Sequence, residues 1–536
     1  MDFQEDIVIG EDWGFRLPGI LRDISECAFV ALDFEFSGIP SHQAGSRPQS
    51  LQERYAEVKE AAKTYQILQV GLTIVKEDVL REKGKYTVKP FNIPLSPWID
   101  PSLHVDRTFG LSSNAIHFLA KIGFNLGETC ENGVPYLSKK EVDEILDEAR
   151  RFHGSRWQTA KRAQIILSDD DIESAAFLAG IRKDIEEWLN ADWDKPDYLH
   201  VPALNGHAFT RFEKRLIHQL VETEYPSLTS IRSGESIKIV KYDEAKEHKK
   251  YEGKMSRVQQ RLIDHRGFAW VIEALAGGDL SQMTSQMFEP LVIGEGPDAE
   301  YHKTQIITKL KARNGQIAIV GHNLFMDVTY LWQCFYGDLP DRVEDFAQLL
   351  HEKFPMLIDT KYIFTHDCGD MNPAATLEKI AEACKRIAKP QIKLVMDNLH
   401  TRYRKKACPH EAGYDSLLTA QVFIKQAVQL PGARTRSILQ PTQATRKGNP
   451  TVQHTSGVAL DISKETSTND QGGHKQKFGT NFSVFETTEL ENSIDKLAIP
   501  DGGHELIPPF SSPVWKVYGN KLRVFGTHER VFELGD

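Results

Sequence analysis

The sequence predicts an α/β protein: a mixed central sheet flanked by helices, with a smaller α/β module inserted into it. Three observations carry that expectation. Phe29–Phe36 is an apolar run of strand length that takes up acids at alternate positions near its end. Strand-like and helix-periodic stretches alternate from there to about residue 165. From 168 to 245 the texture changes to helices with acidic or polar starts, followed by a short β-branched run. At 536 residues the chain can hold two or three domains and bury a sizeable core.

Taken in order, Ile67–Val75 reads as a second sheet strand beside the acid-bearing one. Pro90, Pro94, Pro97 and Pro101 make the next stretch extended or turning. Glu141–Arg151 is an amphipathic helix with a charged, solvated face. Asp169–Asp171 can cap a helix running through Trp188, since acids suit the N-terminal dipole end. A second helix is expected over Ala208–Val221 and a strand over Ser236–Val240. A further helix should run from Arg257 to Ala276, and the Gly- and polar-rich residues 277–316 should form a surface loop. Ile317–Val320 is a short strand that ends at Gly321-His322-Asn323 and turns into a helix. That helix should carry Asn323 and Asp327, four apart, on one face. Ser416–Gln429 is another apolar-periodic helix, led by His410-Glu411-Ala412-Gly413-Tyr414-Asp415.

After Gly432 the composition turns to Thr, Ser, Gln, Asn and Gly, which cannot bury enough apolar surface to offset ordering entropy. The last part recovers strand signals over 513–518, 522–525 and 531–534, with Gly519-Asn520 as a hairpin turn. The expected organisation is a principal domain in two parts, 1–167 and 246–431, around an insert at 168–245. A disordered linker at 432–491 and C-terminal strands at 492–536 that dock back on the principal domain complete it.

The net charge of −10 excludes a protein that binds nucleic acid by sheer basicity, but not a local basic groove or a metal-assisted site. Residues 203–266 carry 13 Lys and Arg against 9 Asp and Glu, a net of +4 in an otherwise acidic chain. The six cysteines have no C-x-x-C spacing and read as reduced thiols of an intracellular protein. The N-terminus lacks a signal-peptide apolar region, and no run of 18 apolar residues exists to span a membrane.

Asp33 and Glu35 would point the same way from their strand, roughly 7 Å apart along it. Two carboxylates projecting together from a buried strand repel and lose hydration, so a cation should hold them, and hard divalent ions such as Mg²⁺ take oxygen ligands. Asp327 and Asp415, near the starts of two helices, can reach such a site, and His410 on the preceding loop can take a proton from water.

In order and spacing this set resembles the DEDD 3′-exonucleases of the histidine subclass, and within them the poly(A)-specific ribonuclease group, including fungal and trimmer-like members. Asp33-x-Glu35-Phe36-Ser37-Gly38-Ile39, Ser112–Leu119, Asn132–Leu137, Gly321–Asn323, Leu357–Lys361 and His410–Asp415 carry the resemblance. It implies an RNase H-like fold and Mg²⁺-dependent 3′-to-5′ exoribonuclease action, as a deadenylase or 3′-end trimmer releasing 5′-mononucleotides. It also implies two Mg²⁺ ions, for which Mn²⁺ can substitute. Asp33 would bridge both, with Glu35 and Asp415 on the water side, Asp327 on the leaving-group side and His410 as the base. Phe36, Ser37 and Ile39 would meet the terminal nucleotide of single-stranded RNA 3′ ends, with Asn323 beside them and Lys361 pairing a phosphate.

In that family the insert carries an Arg-x-x-x-His signature that binds nucleic acid. Here it is altered to Lys214-Arg215-Leu216-Ile217-His218, with Lys214 and Arg215 as its RNA contacts. The resemblance also implies a homodimer and a cytoplasmic or nuclear location. No RNA-recognition-motif domain is expected after the last strands, which counts against cap recognition. A catalytically silent RNA-binding scaffold and a DNA-directed 3′ exonuclease are the rival readings. The first would show a gap in the acid set, and the second shares it.

Overall fold

A strand buried on both faces reads as a near-continuous apolar run, and Phe29–Phe36, in the middle of a seven-stranded sheet, is apolar except at Asp33 and Glu35. The computed structural model describes residues 7–40, 48–78, 84–153, 165–168, 170–191, 196–202, 209–366, 375–387, 389–404, 406–430 and 506–535. Their strands, in chain order, are β1 (Phe29–Phe36), β2 (Ile67–Glu77), β3 (Lys85–Ser96), β4 (Val134–Pro135), β5 (Tyr198–Val201), β6 (Leu228–Ser233), β7 (Ser236–Lys241), β8 (Ile319–Gly321), β9 (Leu357–Asp359), β10 (Lys393–Met396), β11 (Lys521–Arg523) and β12 (Val531–Glu533).

The large sheet runs β10-β3-β2-β1-β8-β9, with β4 beside β3. β1, β2 and β3 are antiparallel neighbours, whereas β8 and β9 run parallel to β1. This is the mixed, helix-flanked sheet expected of an RNase H-like fold. The helix Ala412–Ala427 packs on it, burying Leu417, Phe423 and Ile424 against Phe29, Ala31, Val320 and Ile358. Pro90 and Pro94 lie inside β3, which is extended as expected.

The described residues fall into two compact units. The first comprises 1–98, 107–138 and 266–536; the second comprises 99–106 and 139–265. The second unit holds the three-stranded antiparallel sheet β5-β7-β6 and the helices Ile172–Asn190 and Arg211–Glu224. Asp171 caps the former through its side chain. Ile185, Trp188, Ile217, Leu220, Ile237 and Ile239 form its core. It is wider than the insert expected at 168–245, because Lys139–His153 and most of Glu244–His265, both strongly charged, pack on each other within it.

Three expectations are corrected. The helix expected over 257–276 is two helices, Glu244–His265 and Ala269–Leu275, broken at Gly267. There φ is +44° and a Cβ would lie 1.9 Å from the Pro135 carbonyl oxygen. Residues 277–316 are not a plain loop: a 3₁₀ turn at Ser285–Leu291 and the helix Ala299–Arg313 lie against the helix Gly10–Ser25. Only Ile306 and Leu310 of that helix are buried, too few to give the sequence a clear period.

At the C-terminus, Trp515–Tyr518 is one helical turn, not a strand. Gly519-Asn520 joins it to β11, and the reversal between β11 and β12 lies at 524–530. Trp515 and Tyr518 sit in the main core, and Asn520 exchanges hydrogen bonds with Leu357 at the edge of β9. The linker expected at 432–491 lies outside the described residues. So does Cys368; Cys27, Cys130, Cys334, Cys384 and Cys408 are free thiols.

Candidate active site

β1 carries Asp33 and Glu35 on one face, with Asp33 opposite Gly71 of β2. The helix Ala412–Ala427 reaches them because β2 has no side chain at that point: a Cβ on Gly71 would lie 1.8 Å from the Ala412 carbonyl oxygen. Its first turn is fastened to the sheet. The Ala412 and Gly413 amides donate to the side chains of Gln69 and Asn92 (2.9 Å each), and the Thr73 and Ser416 hydroxyls are 2.8 Å apart. Asp415, in that turn, meets the strand acids. Ligand oxygens of Asp33, Glu35 and Asp415 all lie within 4.8 Å of one another.

Burial first, then the charge of neighbouring acids, pushes every acid of this centre up. Asp33 is held well above the usual carboxylate range by burial and by the charges of Asp415, Asp327, Glu35 and Glu378. Glu35 is raised likewise by burial, Asp415 and Asp327. Asp415 is pushed up to about 7 by burial and Glu378, partly offset by a hydrogen bond from the His410 amide. Asp327 goes to about 8, mainly by burial. Asp327 sits in the first turn of the helix Phe325–Phe335. It is outside the 4.8 Å group, although its charge reaches both strand acids.

This donor set fits hard divalent cations. It offers carboxylate oxygens only, crowded so closely that they retain protons when no cation neutralises them. Asp415 Oδ1 is buried and accepts no hydrogen bond among the described residues. Its other oxygen accepts from the His410 amide at 3.0 Å.

His410 precedes the helix in the left-handed region, with φ of +66°, and its exposed ring lies edge-on to Phe118 at 5.0 Å. Glu411 anchors this loop through a bidentate pair with Arg402, both contacts 2.8 Å, and a contact with the Tyr403 hydroxyl.

The residues expected to meet RNA are placed unevenly. Ile39 is 48% exposed and free to pack on a base. Phe36 is only 7% exposed, its ring 4.3 Å from that of Tyr330, so it belongs to the floor of the site and presents no open stacking face. Ser37 is fully buried; its hydroxyl donates to the Gly110 carbonyl (2.8 Å) and accepts from the Gln66 amide (2.9 Å). That is a scaffold role, not a ribose contact. Asn323 is exposed but lies ahead of the helix, with φ of +63°, not on a helix face with Asp327.

Lys361 is neither a surface residue nor placed to pair a phosphate. It is 4% exposed, its amine donates to the Ala375 carbonyl and lies over the Phe525 ring, and burial lowers it to about 8. Lys214 and Arg215 lie on the helix Arg211–Glu224 of the second unit, Arg215 exposed and Lys214 half-buried. The first turn of the helix Leu377–Lys385 supplies a charge the sequence did not advertise, Glu378, which looks like any solvated helix acid. Gly71 did leave a trace, since a glycine inside a strand signals a close approach.

The family model of the CAF1 family ribonucleases matches residues 8–423. The chain belongs to this family. The poly(A)-specific ribonuclease PARN of Xenopus laevis is 25% identical over 437 residues, covering 77% of this chain and 60% of the frog protein. The poly(A)-specific ribonuclease PNLDC1 of Pongo abelii is 26% identical over 414 residues, covering 75% and 68%. An uncharacterized protein of Schizosaccharomyces pombe is 24% identical over 431 residues, covering 77% and 92%. The chain thus spans about 60% of the length of the frog relative. Among solved structures, Pop2p of S. pombe in its Mg²⁺- and Mn²⁺-bound form matches with 14% identity and a TM-score of 0.32, covering 78% of this chain and 89% of that one. No helix among the described residues is long and apolar enough to cross a membrane.

Proposed function

We propose that this chain is a 3′-to-5′ exoribonuclease that hydrolyses the terminal phosphodiester of single-stranded RNA and releases 5′-mononucleotides. The observation that carries the reading is the convergence of Asp33, Glu35 and Asp415 within 4.8 Å, beside an exposed histidine whose amide is bonded to one of them. Asp33, Glu35 and Asp415 would hold divalent cations, two Mg²⁺ by resemblance, with Asp327 completing the charge around them. When bound, such ions would neutralise the scissile phosphate, acidify the attacking water and steady the departing oxygen.

The chain's own groups do the rest. His410, on the open side, accepts the proton of the water whose oxygen attacks phosphorus. The bond from phosphorus to the 3′ oxygen breaks, and that oxygen takes a proton from solvent. Ile39 packs on the terminal nucleotide without selecting a base, and Asn323 lies at the rim. Lys214 and Arg215 offer auxiliary phosphate contacts. A poly(A) tail or another RNA 3′ end suits this chemistry, in keeping with relatives named for poly(A). An intracellular site of action accords with the free thiols, and self-association is a further expectation for sedimentation.

The deciding assay incubates the protein with Mg²⁺, or with chelator, and 5′-end-labelled RNA or DNA of one sequence, with A-tailed and heteropolymeric 3′ ends. A ladder shortening from the 3′ end of RNA only, abolished by chelator, is the expected result. Equal or faster shortening of DNA would make it a DNA exonuclease. Retention of RNA without cleavage would make it a binding scaffold.

A further inference from the structure

The C-terminal hairpin is tied to the segment that presents Asp327, and the tie runs through a carboxylate that the chemistry above does not use. Asp359, at the end of β9, is fully buried. Its Oδ1 accepts the amides of Asn323 (2.8 Å) and Lys361 (2.9 Å), and its Oδ2 accepts the amide of Arg523 in β11 (2.8 Å). A buried carboxylate loses hydration, and backbone donors restore it. Here they come from three separate segments, one of them 164 residues away in the chain.

Asn323 is the last residue of the Gly-His-Asn corner, held in the left-handed region, and the Asp327 helix starts two residues later. The same corner is gripped by Thr360, whose hydroxyl is 3.0 Å from the Gly321 carbonyl oxygen and 2.9 Å from His322 Nδ1. A second, independent contact reaches the helix itself: Phe325, its first residue, meets Phe532 of β12 edge to face at 5.2 Å. The hairpin is anchored in turn. Asn520 exchanges hydrogen bonds with Leu357 and donates to the Pro355 carbonyl, and the Arg523 guanidinium bonds Thr365.

We propose that Asp359 is a positioning residue, and that through it and Phe532 the C-terminal hairpin sets the place of Asp327 in the active site. This rests on the nuclease reading for its consequence but not for the coupling itself. An Asn at 359 keeps the shape but replaces one accepting oxygen with a donor, so it must leave either the Asn323 side or the Arg523 side unpaired.

The test compares Asp359→Asn, the milder Phe532→Leu, and a stability-matched control, Leu310→Ala, in the helix Ala299–Arg313. Three readouts are taken on the full chain: hydrogen exchange of amides 321–328, Mn²⁺ affinity by calorimetry, and kcat and KM on RNA. We expect Asp359→Asn to speed exchange over 321–328 at least tenfold, weaken Mn²⁺ severalfold and lower kcat at least tenfold with KM within threefold. The control should change none of the three. Phe532→Leu should move them in the same direction by less, and carries the test alone if Asp359→Asn does not fold. Wild-type exchange over 321–328 in both variants, or a kcat loss no larger than the control's, would overturn the proposal. A wild-type chain without nuclease activity would instead overturn the parent reading, and the exchange and Mn²⁺ data would still decide this one.

Discussion

At the scale of single residues, the acids and the histidine should fail in different ways. Asp33→Ala removes a carboxylate raised by four neighbouring acids and one of the three members of the cluster, so hydrolysis should fall to background while the fold and RNA affinity persist. Gel-shift and cleavage assays on the same preparation check this, and more than a trace of Mg²⁺-supported cleavage would remove Asp33 from the ligand set. His410 contributes a proton acceptor and no metal bond, and its backbone amide, not its ring, holds Asp415. His410→Ala should therefore cost about 10²-fold in turnover with little change in Mn²⁺ or RNA affinity. Raising the pH should restore part of the rate, because hydroxide then needs no base. A variant turning over at the wild-type rate across the pH range would hand the proton to another group.

At the scale of elements, the sequence was legible where periodicity and chemistry coincided. β1 announced itself through apolar residues interrupted by alternate acids, and the Asp415 helix through its period and its leading motif. What stayed hidden was geometry set by distant partners. The burial of Phe36 depends on Tyr330, that of Ser37 on Gly110 and Gln66, and that of Lys361 on Ala375 and Phe525. No local pattern reports such contacts. The helix Ala299–Arg313 was missed because two buried residues do not make a stripe, and the 513–518 strand was misread because its apolar residues suit either element.

Gly71 is where an element's placement can be tested. Its missing side chain lets the Asp415 helix sit on β2 opposite Asp33. Gly71→Ala should push that first turn away, destabilise the chain by about 2–3 kcal/mol and cut activity more than the stability loss explains. Melting curves and kcat at a temperature where the variant remains folded separate the two. Wild-type kcat in a folded Gly71→Ala protein would mean that Asp415 tolerates a displaced helix.

At the scale of the whole molecule, the acid cluster makes metal binding a folding interaction. Without cations, Asp415 and Asp327 keep protons up to about 7 and 8, and Asp33 and Glu35 are also held above the usual range. In the unfolded chain the same carboxyls have lost theirs near pH 4. The folded state therefore binds more protons than the unfolded one between those limits, so stability must fall as pH rises through them. Groups of the opposite trend narrow the window. His322, lowered by burial to about 3, stays neutral in the folded chain while its unfolded counterpart is protonated below 6.5, so it adds stability as pH rises to that point. Glu26, lowered to about 2, acts only below pH 4.5. Lys361, lowered by burial to about 8, sheds its proton in the folded chain before the unfolded one and adds stability with rising pH only as pH nears 8. From about 6.5 to just below 8 the acids therefore set the trend. There, chelator-treated protein should melt progressively lower with rising pH, and Mn²⁺ should raise the melting temperature most at the alkaline end. Calorimetry in buffers of different ionisation heat should show protons released as the metal binds. A chelated protein whose melting temperature stays level or climbs across that window, binding Mn²⁺ without proton release, would mean that these carboxylates are already ionised and do not share one crowded site.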